Sequence, residues 1–159
     1  MAEREVNMNI VVLERNSVGT DVAVEFDALG DVTYYQNTVT LEETAERIKD
    51  ADIVVINKAK MNEATLKNAP NVKLICLFAT GYDNCDLVYC KKRGIKVANV
   101  MDYSTAMVAQ HTFTLALALL QKLPFYDTYV KSDAYSKQER FSYFDTPIYE
   151  LEGKTWGIV

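Results

Sequence analysis

Two short segments of the sequence have residues whose types and positions suit the binding of a small anion. The segment 79–81, Ala-Thr-Gly, follows an apolar run, and the glycine at 81 lets backbone N–H groups approach an anion closely. A tight turn that simply requires glycine is the alternative. Lys58 follows another apolar run, and its ammonium could pair with the carboxylate or hydroxyl of a small acid. A solvated surface lysine is the alternative there.

The other reactive side chains point less clearly to chemistry. His111 is the only histidine and lies inside a strongly apolar helical pattern, so we interpret it as structural and give it no catalytic role. Cys76, Cys85 and Cys90 lack the four-ligand pattern of a zinc site. We therefore expect reduced thiols and no metal site.

The sequence contains no glycine-rich phosphate loop. The six glycines stand at positions 19, 30, 81, 94, 153 and 157, and none forms Gly-x-Gly-x-x-Gly. Such a loop brings backbone N–H groups to a pyrophosphate at the start of a helix. We therefore expect no dinucleotide to be held by these 159 residues alone.

Composition and charge argue against several classes of partner. The net charge is −5, from 17 basic and 22 acidic residues, which disfavours nucleic acid and anionic membrane surfaces. The amino-terminal residues lack the pattern of a secretory signal. The longest apolar stretch, residues 115–120, is far shorter than the roughly 20 residues that cross a bilayer. We expect a cytoplasmic protein.

Residues 1–100 alternate β-rich runs with helical patterns. Apolar runs predict strands at 9–13, 31–35, 52–56, 73–77 and 95–98, and periodicity with capping signals predicts helices at 21–29, 40–49, 62–68 and 87–93. Continuous apolar strands in β/α units indicate a parallel sheet covered on both faces. We expect a flavodoxin-like, doubly wound, five-stranded α/β fold with ligands at the carboxyl ends of its strands.

Residues 101–159 have a different pattern. Residues 105–122 predict a long helix with apolar groups nearly all round it, which we expect to be buried on more than one side. Pro124 ends it, and a Tyr- and Phe-rich stretch with little periodicity follows to residue 149. Residues 150–159 predict a polar turn leading into a new strand. Since a domain rarely stops inside a buried strand, we expect an interrupted chain with an incomplete Rossmann start.

Four stretches, in this order, resemble the D-2-hydroxyacid dehydrogenase family in its glycerate and hydroxypyruvate dehydrogenase branch. They are DIVVINK at 52–58, LICLFATGYDNCD at 74–86, YSTAMVAQHTF at 103–113 and ELEGKTWGIV at 150–159. The resemblance implies a substrate (catalytic) domain at 1–100. It implies a dimerisation helix, an aromatic tail and the first strand of an NAD-binding domain at 101–159. The implied reaction is hydride transfer between NAD or NADP and a small 2-hydroxy or 2-keto acid.

The resemblance also implies roles for particular residues. The backbone amides of Thr80 and Gly81 would hold the substrate carboxylate, with Lys58 at the same rim. Val108 would line the nicotinamide side of the cleft. Gln110 stands where the wider family commonly has Glu, in agreement with this branch. The family's glycine-rich loop and its catalytic Arg, Glu and His lie downstream of the matched residues, so we assign no catalytic residue and expect this chain alone to be inactive.

Two other functions stay open. The chain could be a stand-alone flavodoxin-like module that binds a small anion or a partner chain without enzyme activity. It could also be a self-assembling fragment, because so apolar a helix and tail rarely stay exposed. We therefore expect a homodimer, in which exchange of the helix or the tail between two copies is one route.

Overall fold

A five-stranded sheet forms the centre of the N-terminal part of the protein. The computed structural model describes residues 7–19 and 26–158. The strands are β1 Met8–Val12, β2 Gly30–Tyr34, β3 Ile53–Ile56, β4 Leu74–Leu77 and β5 Lys96–Ala98. All neighbouring strands are parallel, and the order is β2-β1-β3-β4-β5. The predicted doubly wound, flavodoxin-like arrangement is confirmed.

Three helices follow β2, β3 and β4, and each begins at a side-chain cap. They are α1 Leu41–Ile48, α2 Glu63–Leu66 and α3 Leu87–Arg93. Thr40 and Asn62 open α1 and α2 with capping boxes, and the Asp86 carboxylate accepts the N–H of Tyr89 in the first turn of α3. Gly94 ends α3 in the left-handed conformation, at φ 71°, which costs glycine little because it has no Cβ.

The predicted helix at 21–29 falls largely outside the described residues, which resume at Phe26. Residues 27–29 form a turn, so the predicted helix does not extend to Leu29, which is 61% exposed. Phe26 packs on the sheet, with its ring centroid 6.2 Å from that of Phe78.

Alternate strand residues point to opposite faces of the sheet and build two apolar clusters. One cluster combines strand residues with α1, α2 and α3, and its members include Leu13, Ile48, Val54, Ile56, Leu66, Ile75 and Cys90. The other contains Ile10, Val12 and Val55, with Phe26 and Phe78 against them. Because both faces are covered, the strands need apolar side chains at successive positions, which explains their continuous apolar runs.

The chain divides into two compact units, which we call the N-terminal unit, Met1–Tyr103, and the C-terminal unit, Ser104–Val159. The C-terminal unit contains α4 Thr105–Leu120, α5 Leu123–Lys131 and α6 Ala134–Lys137. Sequence periodicity missed α5 and α6. Pro124 lies in the first turn of α5, where its missing N–H has no helical partner to lose. The rings of Tyr129 and Tyr143 pack 4.7 Å apart, so aromatic contacts within the unit support these short helices.

Two predictions for the C-terminal unit are wrong. Helix α4 is not buried: none of its residues is, and Phe113, Leu115 and Leu119 are 52%, 53% and 79% exposed. Residues 154–158 form no strand, because a strand needs a neighbouring strand to pair with and none lies beside them among the described residues. Trp156 instead packs on Phe113, with ring centroids 5.0 Å apart.

Among residues 7–19 and 26–158, none of the helices combines the length and the hydropathy of a membrane-spanning segment.

Candidate functional site

The turns that follow β3 and β4 lie side by side at the carboxyl edge of the sheet. The two strands pair in parallel, with Ile56 opposite Leu77 at their carboxyl ends. Lys58 stands two residues beyond β3, and Thr80 stands three residues beyond β4. The structure therefore brings the predicted residues Lys58, Thr80 and Gly81 to the same edge of the sheet, where ligands of doubly wound folds bind.

The turn at Thr80 is tied to the segment that follows β5. The Thr80 hydroxyl donates to the carbonyl of Val100 at 2.9 Å, and the Asn99 side-chain amide donates to the carbonyl of Thr80 at 2.7 Å. The N–H of Val100 donates to the carbonyl of Ala79 at 3.1 Å. These bonds fix the carbonyl groups of the turn and hold its backbone in place.

The N–H groups of this turn are left available. Within the described chain, neither the Thr80 nor the Gly81 backbone N–H donates a hydrogen bond, and both residues are exposed. Gly81 does not have the positive φ that would require glycine, so a glycine-demanding turn does not explain it. A Cβ at this position would lie 3.3 Å from Oδ1 of Asp83. Two adjacent open amides are suited to a carboxylate.

Lys58 lines a cleft on the other side of β3. The cleft has a volume of about 670 Å³ and is bounded by Glu14, the segment 37–41, Thr44 and residues 58–60. The Lys58 side chain is exposed and forms no ion pair with another described residue. Thr80 and Gly81 do not line this cleft. Lys58 and the open amides thus share an edge of the sheet but not one cavity.

Glu14 is the most unusual polar residue at this edge, and sequence reasoning gave it no role. It lies just after β1 and is only 6% exposed. Its carboxylate accepts the N–H groups of Asn57, Lys58 and Ala59 at 2.7, 2.8 and 2.9 Å. An acidic residue directly after a buried apolar strand was the available signal, but its partners are more than forty residues away in the sequence.

Asn84 joins the turn after β3 to the segment before α3. Its side-chain amide donates to the carbonyls of Ala59 at 2.8 Å and Asn57 at 3.3 Å. The N–H of Met61 donates to the carbonyl of Asn84 at 2.9 Å. The turn that presents Lys58 is therefore held from both neighbours in the sheet, by Glu14 after β1 and by Asn84 after β4.

Val108 and His111, by contrast, lie on α4 in the C-terminal unit. Both side chains are exposed, and the interpretation of His111 as structural stays a prediction. The assignment of Val108 to the nicotinamide side of a cleft stays a prediction.

The three cysteines are free thiols in the N-terminal unit. Cys76 lies on β4 and is half-buried, and Cys90 is buried on α3. Cys85 lies just before α3, and burial raises its pKa to about 11. A raised pKa keeps the thiol protonated and unreactive at neutral pH. Among the described residues, no group of three His, Cys, Asp or Glu side chains is arranged to hold a metal ion.

The described residues do not form a cradle for a dinucleotide pyrophosphate. Such a cradle needs successive glycines that lead directly into a helix N-terminus. Gly81 stands six residues before α3, and Gly157 lies in an exposed segment without regular structure. The described residues therefore do not fit the pyrophosphate of a nicotinamide cofactor.

Comparison with known proteins agrees with this geometry. Residues 10–152 match the family model of the D-isomer specific 2-hydroxyacid dehydrogenase catalytic domain. Glycerate dehydrogenase of Methylorubrum extorquens is 38% identical over 150 residues, which cover 94% of this chain and 48% of the relative. Hydroxypyruvate reductase of Blautia hydrogenotrophica is 34% identical over 135 residues, which cover 84% of this chain and 42% of the relative.

A solved structure gives the same result at the level of the fold. The crystal structure of D-lactate dehydrogenase from Aquifex aeolicus, complexed with NAD and lactic acid, has a TM-score of 0.63 and 30% identity. The similarity covers 82% of this chain and 39% of that chain. The chain spans about half the length of the curated relatives that it matches. From the family match over most of its residues, together with the doubly wound sheet, this chain belongs to the D-isomer specific 2-hydroxyacid dehydrogenase family.

Proposed function

We propose that this chain supplies the substrate domain of an NAD- or NADP-dependent D-2-hydroxyacid dehydrogenase. In this proposal the N–H groups of Thr80 and Gly81 bind the carboxylate of a small 2-hydroxy or 2-keto acid, such as glycerate or hydroxypyruvate. The observation that supports it most directly is the pair of open amides at the carboxyl end of β4, in a chain of this family.

The chemistry of the edge is consistent with a small acid. Two N–H donors can bind one carboxylate, and hydrogen bonds to a charged acceptor are stronger than those between neutral groups. The ammonium of Lys58, which forms no ion pair among the described residues, adds positive charge at the same edge of a protein whose net charge is −5. Lys58 lines the neighbouring cleft, and we propose that its exposed, flexible side chain reaches the acid and pairs with its carboxylate or hydroxyl.

Hydride transfer also needs a nicotinamide cofactor, and we propose that other parts of the enzyme supply most of its site. When bound, NAD or NADP provides or accepts the hydride, and Val108 would line its nicotinamide side. We expect the 159-residue chain alone to leave the absorbance of NADH unchanged when hydroxypyruvate is added. A steady fall in that absorbance would contradict this part of the proposal.

Binding of the acid to the isolated chain tests the substrate site. Adding hydroxypyruvate to 15N-labelled protein is expected to shift the amide resonances of Thr80 and Gly81 saturably. Gly81→Val should weaken binding about tenfold or more, because its side chain covers the two N–H groups, each of which makes a hydrogen bond of ordinary strength. Gly157→Val is the matched control, since a Cβ there meets nothing within 4 Å. Saturable binding that leaves Thr80 and Gly81 unmoved would refute the assignment.

We further propose that the chain forms a homodimer through the C-terminal unit. This proposal is supported by exposed apolar side chains on α4 and after it, among them Phe113, Leu119 and Phe141 at 52%, 79% and 89% exposure. Exchange of the helix or the tail between copies is one form it could take. Light scattering at micromolar concentration is expected to give twice the mass of the 18.0 kDa chain. A monomeric mass would refute it.

The alternative is a stand-alone anion- or partner-binding module without enzyme activity. It differs in one measurable respect, because the protein encoded by the complete gene would then show no dehydrogenase activity with any small 2-keto acid. For either function, the free thiols of Cys76, Cys85 and Cys90 are consistent with the cytoplasm, which we propose as its location.

A further inference from the structure

Glu14 occupies the position at which doubly wound sheets usually receive their ligand. The strand order reverses between β1 and β3, and ligands bind in the crevice outside the carboxyl ends of the strands at such a point. Glu14 directly follows Leu13, whose N–H donates to the carbonyl of Val55 on β3 at 2.9 Å. The N–H of Arg15 donates to the carbonyl of Tyr35 at 2.9 Å. The backbone on both sides of Glu14 is thus fixed to the neighbouring strands.

The Glu14 carboxylate fills a concave group of three successive backbone N–H donors. One oxygen, Oε2, accepts all three, from Asn57, Lys58 and Ala59. The second oxygen, Oε1, also accepts the N–H of Lys58, at 3.0 Å. Successive N–H groups of this kind form a general anion-binding concavity. Here the anion in the concavity is a side chain of the protein itself.

The Glu14 carboxylate is stabilised by the dipoles of these three backbone N–H groups and not by a cation. It forms no ion pair with any residue in the described ranges, although it is only 6% exposed. A carboxylate this buried needs strong partners, and charged hydrogen bonds to three backbone N–H groups provide them. The middle donor belongs to Lys58, so the same contact fixes the backbone from which the Lys58 side chain extends.

We propose that Glu14 is a positioning residue whose carboxylate permanently occupies the three N–H donors of residues 57–59, after β3. It holds the turn that presents Lys58, and it closes this point of the sheet to external carboxylates. The acid is thereby directed to the next turn, where the amides of Thr80 and Gly81 have no partner in the described chain. The direction of the acid to Thr80 and Gly81 rests on the proposed function. The binding of the Glu14 carboxylate by the N–H groups of residues 57–59 does not.

Acetate titration of Glu14 variants tests the proposal. In the Glu14→Ala chain the N–H groups of Asn57, Lys58 and Ala59 lose their carboxylate partner. Acetate is then expected to shift their resonances saturably. Glu14→Gln is the matched control, because its side-chain oxygen keeps the position filled. Acetate should therefore bind there at least about tenfold more weakly than in Glu14→Ala, and the unchanged protein should show no response at residues 57–59.

Refolding covers the case in which Glu14→Ala does not fold. Acetate, but not chloride at equal ionic strength, is then expected to restore the folded spectrum and the Lys58 resonance. If acetate fails to act on residues 57–59 and fails to restore folding, the proposal is overturned. It is also overturned if those amides respond equally in the unchanged protein.

The same spectra separate this proposal from the proposed function. A response to hydroxypyruvate at Thr80 and Gly81 of the unchanged protein reports on the substrate site. The response of residues 57–59 to acetate in Glu14→Ala reports on the occupation by Glu14. The assignment of the substrate site can therefore fail while the proposal for Glu14 holds, and the reverse is equally possible.

Discussion

Replacing Ile56 by Ala is expected to lower the free energy of unfolding by about 3–4 kcal/mol. Ile56 is 0% exposed and lies at the carboxyl end of β3, inside the larger apolar cluster. The loss has two sources, the transfer energy of the removed methyl and methylene groups and the cavity that the packed neighbours cannot fill. Since Asn57 and Lys58 follow directly, the substitution should also broaden their amide resonances.

Urea denaturation followed by circular dichroism measures this effect, and the chain contains a matched control. Ile158 is 89% exposed, so Ile158→Ala should change the stability by less than about 0.5 kcal/mol. The comparison holds the chemical change constant and varies only the burial. If both variants lost the same amount, or if Ile56→Ala lost less than about 1 kcal/mol, the placement of Ile56 in the core would be wrong.

Gly30→Ala is expected to destabilise the N-terminal unit by about 3 kcal/mol. Gly30 begins β2 and pairs with Met8 at the start of β1. A Cβ at this position would overlap the carbonyl oxygen of Met8, closer than real contacts allow. The oxygen belongs to the backbone of a paired strand, so no side-chain rotation can relieve the overlap. One of the two strands must move, with loss of pairing between them.

Gly157→Ala serves as the control for Gly30→Ala. A Cβ at Gly157 meets nothing within 4 Å, and its φ does not require glycine. The thermal unfolding temperature should therefore be unchanged in Gly157→Ala and clearly lowered in Gly30→Ala. Equal unfolding temperatures for the two variants would show that β1 and β2 are not as close at this point as described.

The fold of the N-terminal unit was predictable because its signals are local. The predicted strand at 52–56 and the observed β3 differ by one residue, since a short apolar run between polar positions determines such a strand. Thr40 with Glu43 marks the start of α1, and Gly94 marks the end of α3, through hydrogen bonds and backbone angles within a few residues. Local chemistry of this kind is unaffected by the rest of the molecule.

The site was predictable only in part. Parallel strands place the residues after them at one edge, which located Lys58, Thr80 and Gly81 correctly on that edge. The way the turn at Thr80 is held depends on its hydrogen bonds with Val100 and Asn99, which no spacing reveals. Tertiary structure alone also places Lys58 in a cleft that Thr80 and Gly81 do not line.

The sequence by itself determined the five parallel strands, the caps of α1 and α3 and the family, because each depends on neighbouring residues or on motifs read in order. Only the tertiary structure decided the role of Glu14, whose carboxylate meets N–H groups 43 to 45 residues away. It also decided the exposure of α4 and the absence of a strand at 154–158. The physical reason is common to these cases. Burial and strand pairing each require a second surface or strand. An apolar sequence pattern does not show whether that partner is present.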